Sequence, residues 1–527
     1  MTNREEEKYI LAYDHGTSGV KTAICTVSGK ILDFVFEKTP LYLKKNGGAE
    51  QNPDEWWEAV LKTSKCLIDK EIVDVDDIVA ICCSSQWSGT VAVDSDGSHL
   101  GNAIIWMDSR GAPYINKLMG GLLKISGYGI TNILKFIYKT GGGPTLSGKD
   151  PIAHILYLKN EVPEIYNKTH KFLECKDFLN LKFTGKFAAS YDSIMLYWVT
   201  NTRNPQKIRY DNSLIKKLGV KKSQMPKLKR SIDVLGTVSR EVADEIGINR
   251  AKVIVGSPDI QSAVIGSGAI EDYQGHIYLG TSSWVMCHVP FKKTDIFHNI
   301  ASLPSAIPGK YIVANEQESA GGCLTFLRDN IFYDDREDYY GNPEVYKLFD
   351  SVVENVPVGS NGLIFTPWLY GERTPIEDHT IRSILFNMSL TTKKEDIIRA
   401  AFEGVAYNSR WVLKYVERFI KRDINPMNII GGGAQSDIWC QIYADVLNRT
   451  IRQVKDPIQA NARGAAFIAS VALGYITFKE IPNLIEFSGI FKPIQTHTEI
   501  YNKIFKEFLL LYKNNRAAYQ RLNRGRR

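Results

Sequence analysis

The sequence predicts an α/β protein of two large domains with a cleft between them, and three observations carry that expectation. A chain of 527 residues exceeds what one hydrophobic core serves. Short apolar runs of strand type alternate with helical patterns along its length. One Gly-Thr-Ser turn occurs twice, at Gly16-Thr17-Ser18 and at Gly280-Thr281-Ser282, spaced by half the chain and each time set between two strand-like runs. Backbone N–H groups and hydroxyls gathered at a tight turn cradle phosphate, so two copies on two halves suggest a nucleotide gripped from both sides.

Taken in chain order, residues 9–14 and 20–27 read as strands around the first turn. The runs 78–83, 103–106 and 253–255 are short, apolar and end in polar or glycine residues, as strands buried in a mixed sheet do. Residues 276–279 and 284–289 flank the second turn, and 363–365 forms another short run. The clearest helical pattern runs from about 395 to 421, with Thr392 and Glu395 in capping-box spacing and one apolar stripe through Ile398, Phe402, Val405, Val412, Tyr415, Val416 and Phe419. The expected division is a first domain over residues 1–262, a second over 263–484, and a terminal helix with a basic tail over 485–527. The basic end, 513–527, is expected to fray into solvent. Between residues 111 and 148 lies an apolar, glycine-rich stretch for which a local packing element, a lid, an oligomer contact and a membrane-surface patch all stand open.

Composition narrows the class. With 44% hydrophobic and 23% charged residues the chain reads as soluble and globular. A net charge of +7 at this length suits anionic ligands but not nucleic acid, which wants a basic face with interleaved aromatics. The charged start lacks the apolar core of a signal peptide, and the longest apolar stretch, 465–476, is too short to span a bilayer. Eight scattered cysteines, with only Cys82 and Cys83 adjacent, fit reduced thiols in a cytosol and argue against a structural zinc site.

Candidate chemistry gathers at the strand ends. Asp14 closes the first strand, where a carboxylate either holds a magnesium ion bridging nucleotide phosphates or bonds its own turn amides. Thr17 and Ser18 offer hydroxyls at the turn, and Lys21 either reaches phosphate or stands as an ordinary solvated strand residue. Asp259 follows a strand and opens a helical run, so it either accepts a proton from an attacking hydroxyl or acts as a plain N-cap. Gly431-Gly432-Gly433 ends the strand 427–430 and leads through Ala434 to a helix opened by Ser436 and Asp437, a setting for an adenosine pocket. Asn461 then begins a small-residue helix suited to tight packing. Gln86, Trp87 and Ser88 after one strand, and Asp108 and Arg110 after another, either face a polyol acceptor or satisfy local structure.

Together these segments resemble the FGGY family of carbohydrate kinases, most of all its xylulokinase-like members, over nearly the whole chain. Residues 14–21 resemble the family's first phosphate motif, Gly280-Thr281-Ser282 the second, and 431–434 the adenosine motif. Residues 51–57, 106–110 and 370–375 also recur in xylulokinase-like sequences, and 383–404 fits the C-terminal signature, with Asn387 where glycine is usual. The resemblance implies two actin-like, ribonuclease H-like domains closing on ATP and a sugar. It implies Asp259 as general base, Asp14 beside the metal and phosphates, and Gly431, Gly432 and Gly433 bordering the adenosine. The departures lie on the sugar side: Trp87 and Ser88 replace a Met-His pair, Ile260 replaces an amide, His154 a lysine and Tyr157 a tryptophan.

The expected function is therefore ATP- and magnesium-dependent phosphorylation of a ketopentose such as D-xylulose, in the cytoplasm, by a protein that binds no nucleic acid or membrane and is compatible with a homodimer. Two alternatives stand beside it. One is a kinase for glycerol, gluconate, ribulose or another polyol; the other is a non-catalytic ATP-dependent switch on the same fold.

Overall fold

The computed structural model describes residues 7–249, 251–332 and 344–523. The first half forms a six-stranded sheet from β1 (Tyr9–Gly16), β2 (Gly19–Thr26), β3 (Ile31–Lys38), β4 (Ile78–Ser85), β5 (Val234–Thr237) and β6 (Lys252–Pro258), in the order β5-β6-β4-β1-β2-β3. The second half forms an eight-stranded sheet from β7 (Gly275–Leu279), β8 (Ser283–Val289), β9 (Thr294–Asp295), β10 (Ile300–Pro304), β11 (Tyr311–Ala314), β12 (Met427–Ile430), β13 (Ile451–Val454) and β14 (Phe487–Phe491), in the order β9-β10-β11-β8-β7-β12-β13-β14.

The two sheets repeat one plan. β1 pairs antiparallel with β2 and β2 with β3, while β4 lies parallel to β1 and β6 parallel to β4. In the same way β7 pairs antiparallel with β8 and β8 with β11, while β12 lies parallel to β7 and β13 parallel to β12. Each Gly-Thr-Ser turn is the hairpin between the first two strands of its sheet. The turns are structurally equivalent, as their spacing in sequence implies.

Helices cover the sheet faces: α1 (Pro53–Ile68), α2 (Cys175–Thr184), α3 (Asp259–Gly266), α4 (Gly321–Asn330), α5 (Lys394–Ile420), α6 (Asp437–Leu447), α7 (Ala460–Leu473) and α8 (Gln495–Asn523). The period-two alternation of β1 decides which residue meets which layer. Leu11 and Tyr13 join Trp56 and Val60 of α1 and Phe178 of α2 in one core. Ile10 and Ala12 face the other way, into a core with Val264 of α3, Ala465 and Ile468 of α7, and Met286 and Ile430 of the second sheet. That second core belongs to both halves. It is drawn tight where α3 crosses α7: a Cβ on Gly266 would stand 1.8 Å from the Ala460 carbonyl oxygen, and one on Gly464 would stand 1.9 Å from the Ser262 oxygen. The remaining face of the second sheet packs Leu279 and Val285 against Leu324, Phe402, Tyr443 and Phe508 of α4, α5, α6 and α8.

Three local expectations are corrected. The helix expected from about 395 spans Lys394–Ile420, but its cap lies one residue later than the spacing implied. Asp396 accepts from the Lys393 N–H at 2.8 Å, whereas the Thr392 hydroxyl turns back to accept from the Ser389 N–H at 2.9 Å. The run 103–106 pairs as strand only over Ala103–Ile104. The basic end does not fray as far as it is described: Tyr519 is buried, and Asn523 donates to the Thr380 carbonyl at 2.9 Å.

The glycine-rich stretch folds as the helix Ala112–Met119, a short hairpin, and the helix Ile130–Thr140. It buries Ile115, Met119, Ile133 and Phe136 and leaves Leu122 and Leu123 exposed. Lys292 of the second half donates to the Ile137 carbonyl at 2.6 Å, tying the end of that helix across to the other sheet. Among the described residues, no helix is long and apolar enough to cross a membrane. The eight cysteines are free thiols, seven of them buried.

Candidate active site

Parallel strands place their carboxyl ends along one edge, and in an open α/β sheet that edge is where ligands bind. Asp14 lies opposite Ser84 in the β1–β4 register, and Ser85 lies opposite Pro258 in the β4–β6 register. Asp14, the segment starting at Gln86, and Asp259 therefore emerge side by side from three adjacent strands.

Asp259 is the first residue of α3, directly after Pro258. Its Oδ1 accepts from the neighbouring Ile260 N–H at 2.8 Å. Burial pushes its carboxyl up to about 7, and the negative charges of Asp14 and Glu316 add to the rise while the Ile260 bond opposes it. A carboxylate poised near neutrality is suited to general-base work.

Asp14 is gripped from the other half. Asn461, near the start of α7, donates its Nδ2 to Asp14 Oδ1 at 3.2 Å. Lys21 Nζ lies 3.7 Å from Asp14 Oδ2 and donates to the Ile458 carbonyl at 2.8 Å. Lys21 is thus not an ordinary solvated strand residue; it bridges the halves.

The second turn comes to the same place through Tyr278. A Cβ on Gly280 would stand 2.5 Å from the Tyr278 hydroxyl oxygen, and that phenol is raised by burial and then by the charges of both Asp14 and Asp259. The turn also caps α4, for the Gly280 carbonyl accepts from Gly321 N–H and the Thr281 carbonyl from Ala320 N–H, each at 2.8 Å. The Thr281 side chain is exposed and Ser282 half-buried.

The glycine loop lies against the end of β7, one residue before that turn. Gly431 has φ +98, and a Cβ there would stand 2.5 Å from the Leu279 oxygen; one on Gly433 would stand 2.6 Å from Leu279 Cγ. Gly432 faces open space. Ala434 is fully buried, and its carbonyl accepts from Gln453 Nε2 at 2.8 Å. Ser436 caps α6 by accepting from the Trp439 N–H at 3.1 Å, as the sequence implied.

The polar clusters expected on the acceptor side are turned mostly into the protein. Asp108 is buried, accepting from Ala49 N–H and from Arg110 N–H and Nε, each at 2.9 Å. Arg110 also donates to Glu50 at 2.7 Å and to the Tyr157 hydroxyl at 3.1 Å. This pair takes the structural reading, because their polar atoms are occupied by neighbours. Trp87 Nε1 donates to the Ser193 carbonyl at 3.1 Å, and Ser88, at φ +70, donates to the Lys149 carbonyl at 2.7 Å. Gln86 is buried against Thr17 and Gln51.

Sequence reasoning missed groups that both halves bring to the cleft. Arg373 donates from Nε to Glu318 at 2.9 Å and also pairs with Glu316, whose charge reaches Asp259. Lys149 Nζ stands 6.0 Å from the ring centre of Trp106 and 5.7 Å from that of Tyr370. The run 370–375 had stood out in the sequence, but nothing local linked it to residues 316 and 318.

For a metal, the donor set is modest. Among the described residues no group of three or more His, Cys, Asp or Glu side chains could hold an ion alone. Asp14 beside a phosphate turn suits magnesium, which takes one or two carboxylates and completes its shell with water and phosphate oxygens.

Comparison with known proteins agrees with this architecture. The model for the FGGY family of carbohydrate kinases, N-terminal domain, matches residues 9–266, and that for the C-terminal domain matches residues 275–473. The chain is 27% identical over 513 residues to a xylulose kinase of Bacillus subtilis (strain 168), covering 96% of each. It is 25% identical over 507 residues to a gluconokinase of the same strain, covering 95% of each. Among solved structures, the ligand-bound xylulose kinase from Lactobacillus acidophilus superposes with a TM-score of 0.84 at 26% identity, covering 98% of this chain and all of that one.

Proposed function

Because the chain belongs to the FGGY family of carbohydrate kinases, we propose that it transfers the γ-phosphoryl group of ATP to a primary hydroxyl of D-xylulose or a related ketopentose. The observation that carries this reading is Asp259, a buried carboxyl raised toward neutrality at a strand end, near enough to Asp14 for that charge to raise it further. Asp259 takes the proton of the attacking hydroxyl as its oxygen bonds to the γ-phosphorus and the bridging oxygen leaves with ADP. The turns at Gly16-Thr17-Ser18 and Gly280-Thr281-Ser282 supply backbone dipoles toward the phosphates, and Gly431, Gly432 and Gly433 border the adenosine. Asp14 would hold magnesium, which when bound neutralises charge on the phosphate oxygens. Closing the halves around α3 and α7 excludes water, which would otherwise compete for the phosphoryl group. Buried free thiols suit a reducing cytoplasm.

The test is an ADP-release assay with D-xylulose, ribulose, gluconate and glycerol offered in turn. Turnover is expected to rise with D-xylulose above all. ATP binding without stimulation by any acceptor would sink the kinase reading in favour of an ATP-dependent switch.

The raised carboxyl of Asp259 sets the pH dependence. A base must be ionised to act, so kcat/KM is expected to fall about tenfold per pH unit below about 7. Asp14→Asn removes a charge that helps raise Asp259, so the acid limb should move to lower pH in that variant, whatever its residual rate. A pH–rate profile checks both.

A further inference from the structure

The first turn is locked to the acceptor side by a closed ring of hydrogen bonds. Thr17 Oγ1 donates to Gln86 Oε1 at 2.9 Å, Gln86 Nε2 donates to Gln51 Oε1 at 2.7 Å, and Gln51 Nε2 donates back to the Thr17 carbonyl at 2.9 Å. Trp106 Nε1 donates to the same Thr17 hydroxyl at 2.9 Å.

The directions are forced by chemistry. Gln51 Nε2 faces two carbonyls, those of Thr17 and, at 3.0 Å, of Pro40, which only accept. Gln51 therefore presents its oxygen to Gln86, which must answer with its amide nitrogen and turn its own oxygen toward Thr17. A threonine hydroxyl has one proton, and here it goes to Gln86. Indole Nε1 is donor-only, so it takes a lone pair of the same hydroxyl. Gln51 is 0% and Gln86 3% exposed, so water does not substitute for these partners. A phosphate oxygen needs a donor, and while the ring is intact the Thr17 hydroxyl has none to give.

We propose that Thr17 is a positioning residue: its side chain couples the acceptor wall, through Trp106 and Gln86, to the backbone of the phosphate turn, and does not itself bind phosphate. Trp106 is half-buried, with Lys149 Nζ over its ring at 6.0 Å and over the ring of Tyr370, from the second half, at 5.7 Å. An acceptor resting on this ring fixes the indole. The indole fixes Thr17, and the turn is then held for transfer. The ring thus ties acceptor occupancy to phosphate geometry, a means of holding ATP hydrolysis low when no acceptor is bound. The inference rests on the kinase reading of the same cleft.

The test is Thr17→Val, which keeps shape and removes the hydroxyl, with Thr17→Ser as the rescue. The expected result is a KM for D-xylulose about threefold to tenfold higher, together with a larger share of ADP released without acceptor. The affinity for a non-hydrolysable ATP analogue should stay within about twofold of the parent, and Thr17→Ser should restore the parent values. Gln51→Met breaks the ring away from both ligands and should reproduce the KM and uncoupling effects, so the test survives if Thr17→Val fails to fold. A tenfold loss of analogue affinity with acceptor KM unmoved would overturn the proposal and make Thr17 a phosphate ligand. Unchanged coupling in a folded Thr17→Val protein would overturn it as well, with the kinase reading intact. A parent enzyme inactive toward every acceptor would bring down both.

Discussion

Asp259→Asn is expected to lower kcat for sugar phosphorylation by about a thousandfold, within the range that a positioned general base supplies. The amide keeps the volume of the carboxyl and can still accept from Ile260 N–H, but it cannot take a proton. Nucleotide affinity should stay within about twofold, because the phosphate turns and the glycine loop are untouched. The variant should also melt no lower than the parent at pH 8, and the sign follows from linkage. Folding raises the Asp259 carboxyl from 3.8 to about 7, so the folded state binds the extra proton between those values and the charged side chain weighs against folding above them. Asparagine removes that charge. A single-turnover assay, an analogue titration and a thermal melt at pH 8 check the three parts; near-parental kcat would end the assignment of Asp259 as base.

Gly464→Val should damage both stability and activity, although residue 464 bears no functional group. A Cβ there would meet the Ser262 carbonyl oxygen at 1.9 Å, and backbone cannot swing away as a flexible side chain can. α3 and α7 must move apart, at the upper end of the about 1–3 kcal/mol typical of overpacking or beyond it. Because α3 begins with Asp259, the displacement is passed directly to the proposed base, and a shift of about 1 Å at a reacting group can cost about a hundredfold in rate. Denaturant unfolding should show the lost stability, and kcat should fall while the glycine loop still binds nucleotide. A folded Gly464→Val enzyme with parental kcat would show that this crossing does not position Asp259.

How far the site was legible depends on how local its determinants are. The hairpins around Thr17 and Thr281, the helix bearing the Phe402 stripe and the Gly431 loop announce themselves through period, turn residues and glycine, all read within a few neighbours. Glu316, Glu318, Arg373 and the grip of Asn461 on Asp14 carry no such mark, because their meaning lies in partners far along the chain. Asp108 and Arg110 show the reverse. Polar residues at a strand end look alike whether they face a ligand or each other, and only the positions of Ala49, Glu50 and Tyr157 decide between the two. The docked basic end is similar, since its charge pattern says nothing of the groove that receives Tyr519.

By itself the sequence determined the two-domain α/β plan, the duplicated Gly-Thr-Ser turn, an aspartate at a strand end and the kinship with carbohydrate kinases, because each is written in short-range spacing and residue type. Only the tertiary structure decided that Thr17 spends its proton on Gln86, that Lys21 and Asn461 reach across the cleft, and that two glycines let α3 and α7 touch. Hydrogen-bond direction and close packing are properties of atoms brought together from distant positions, and a linear pattern does not contain their distances.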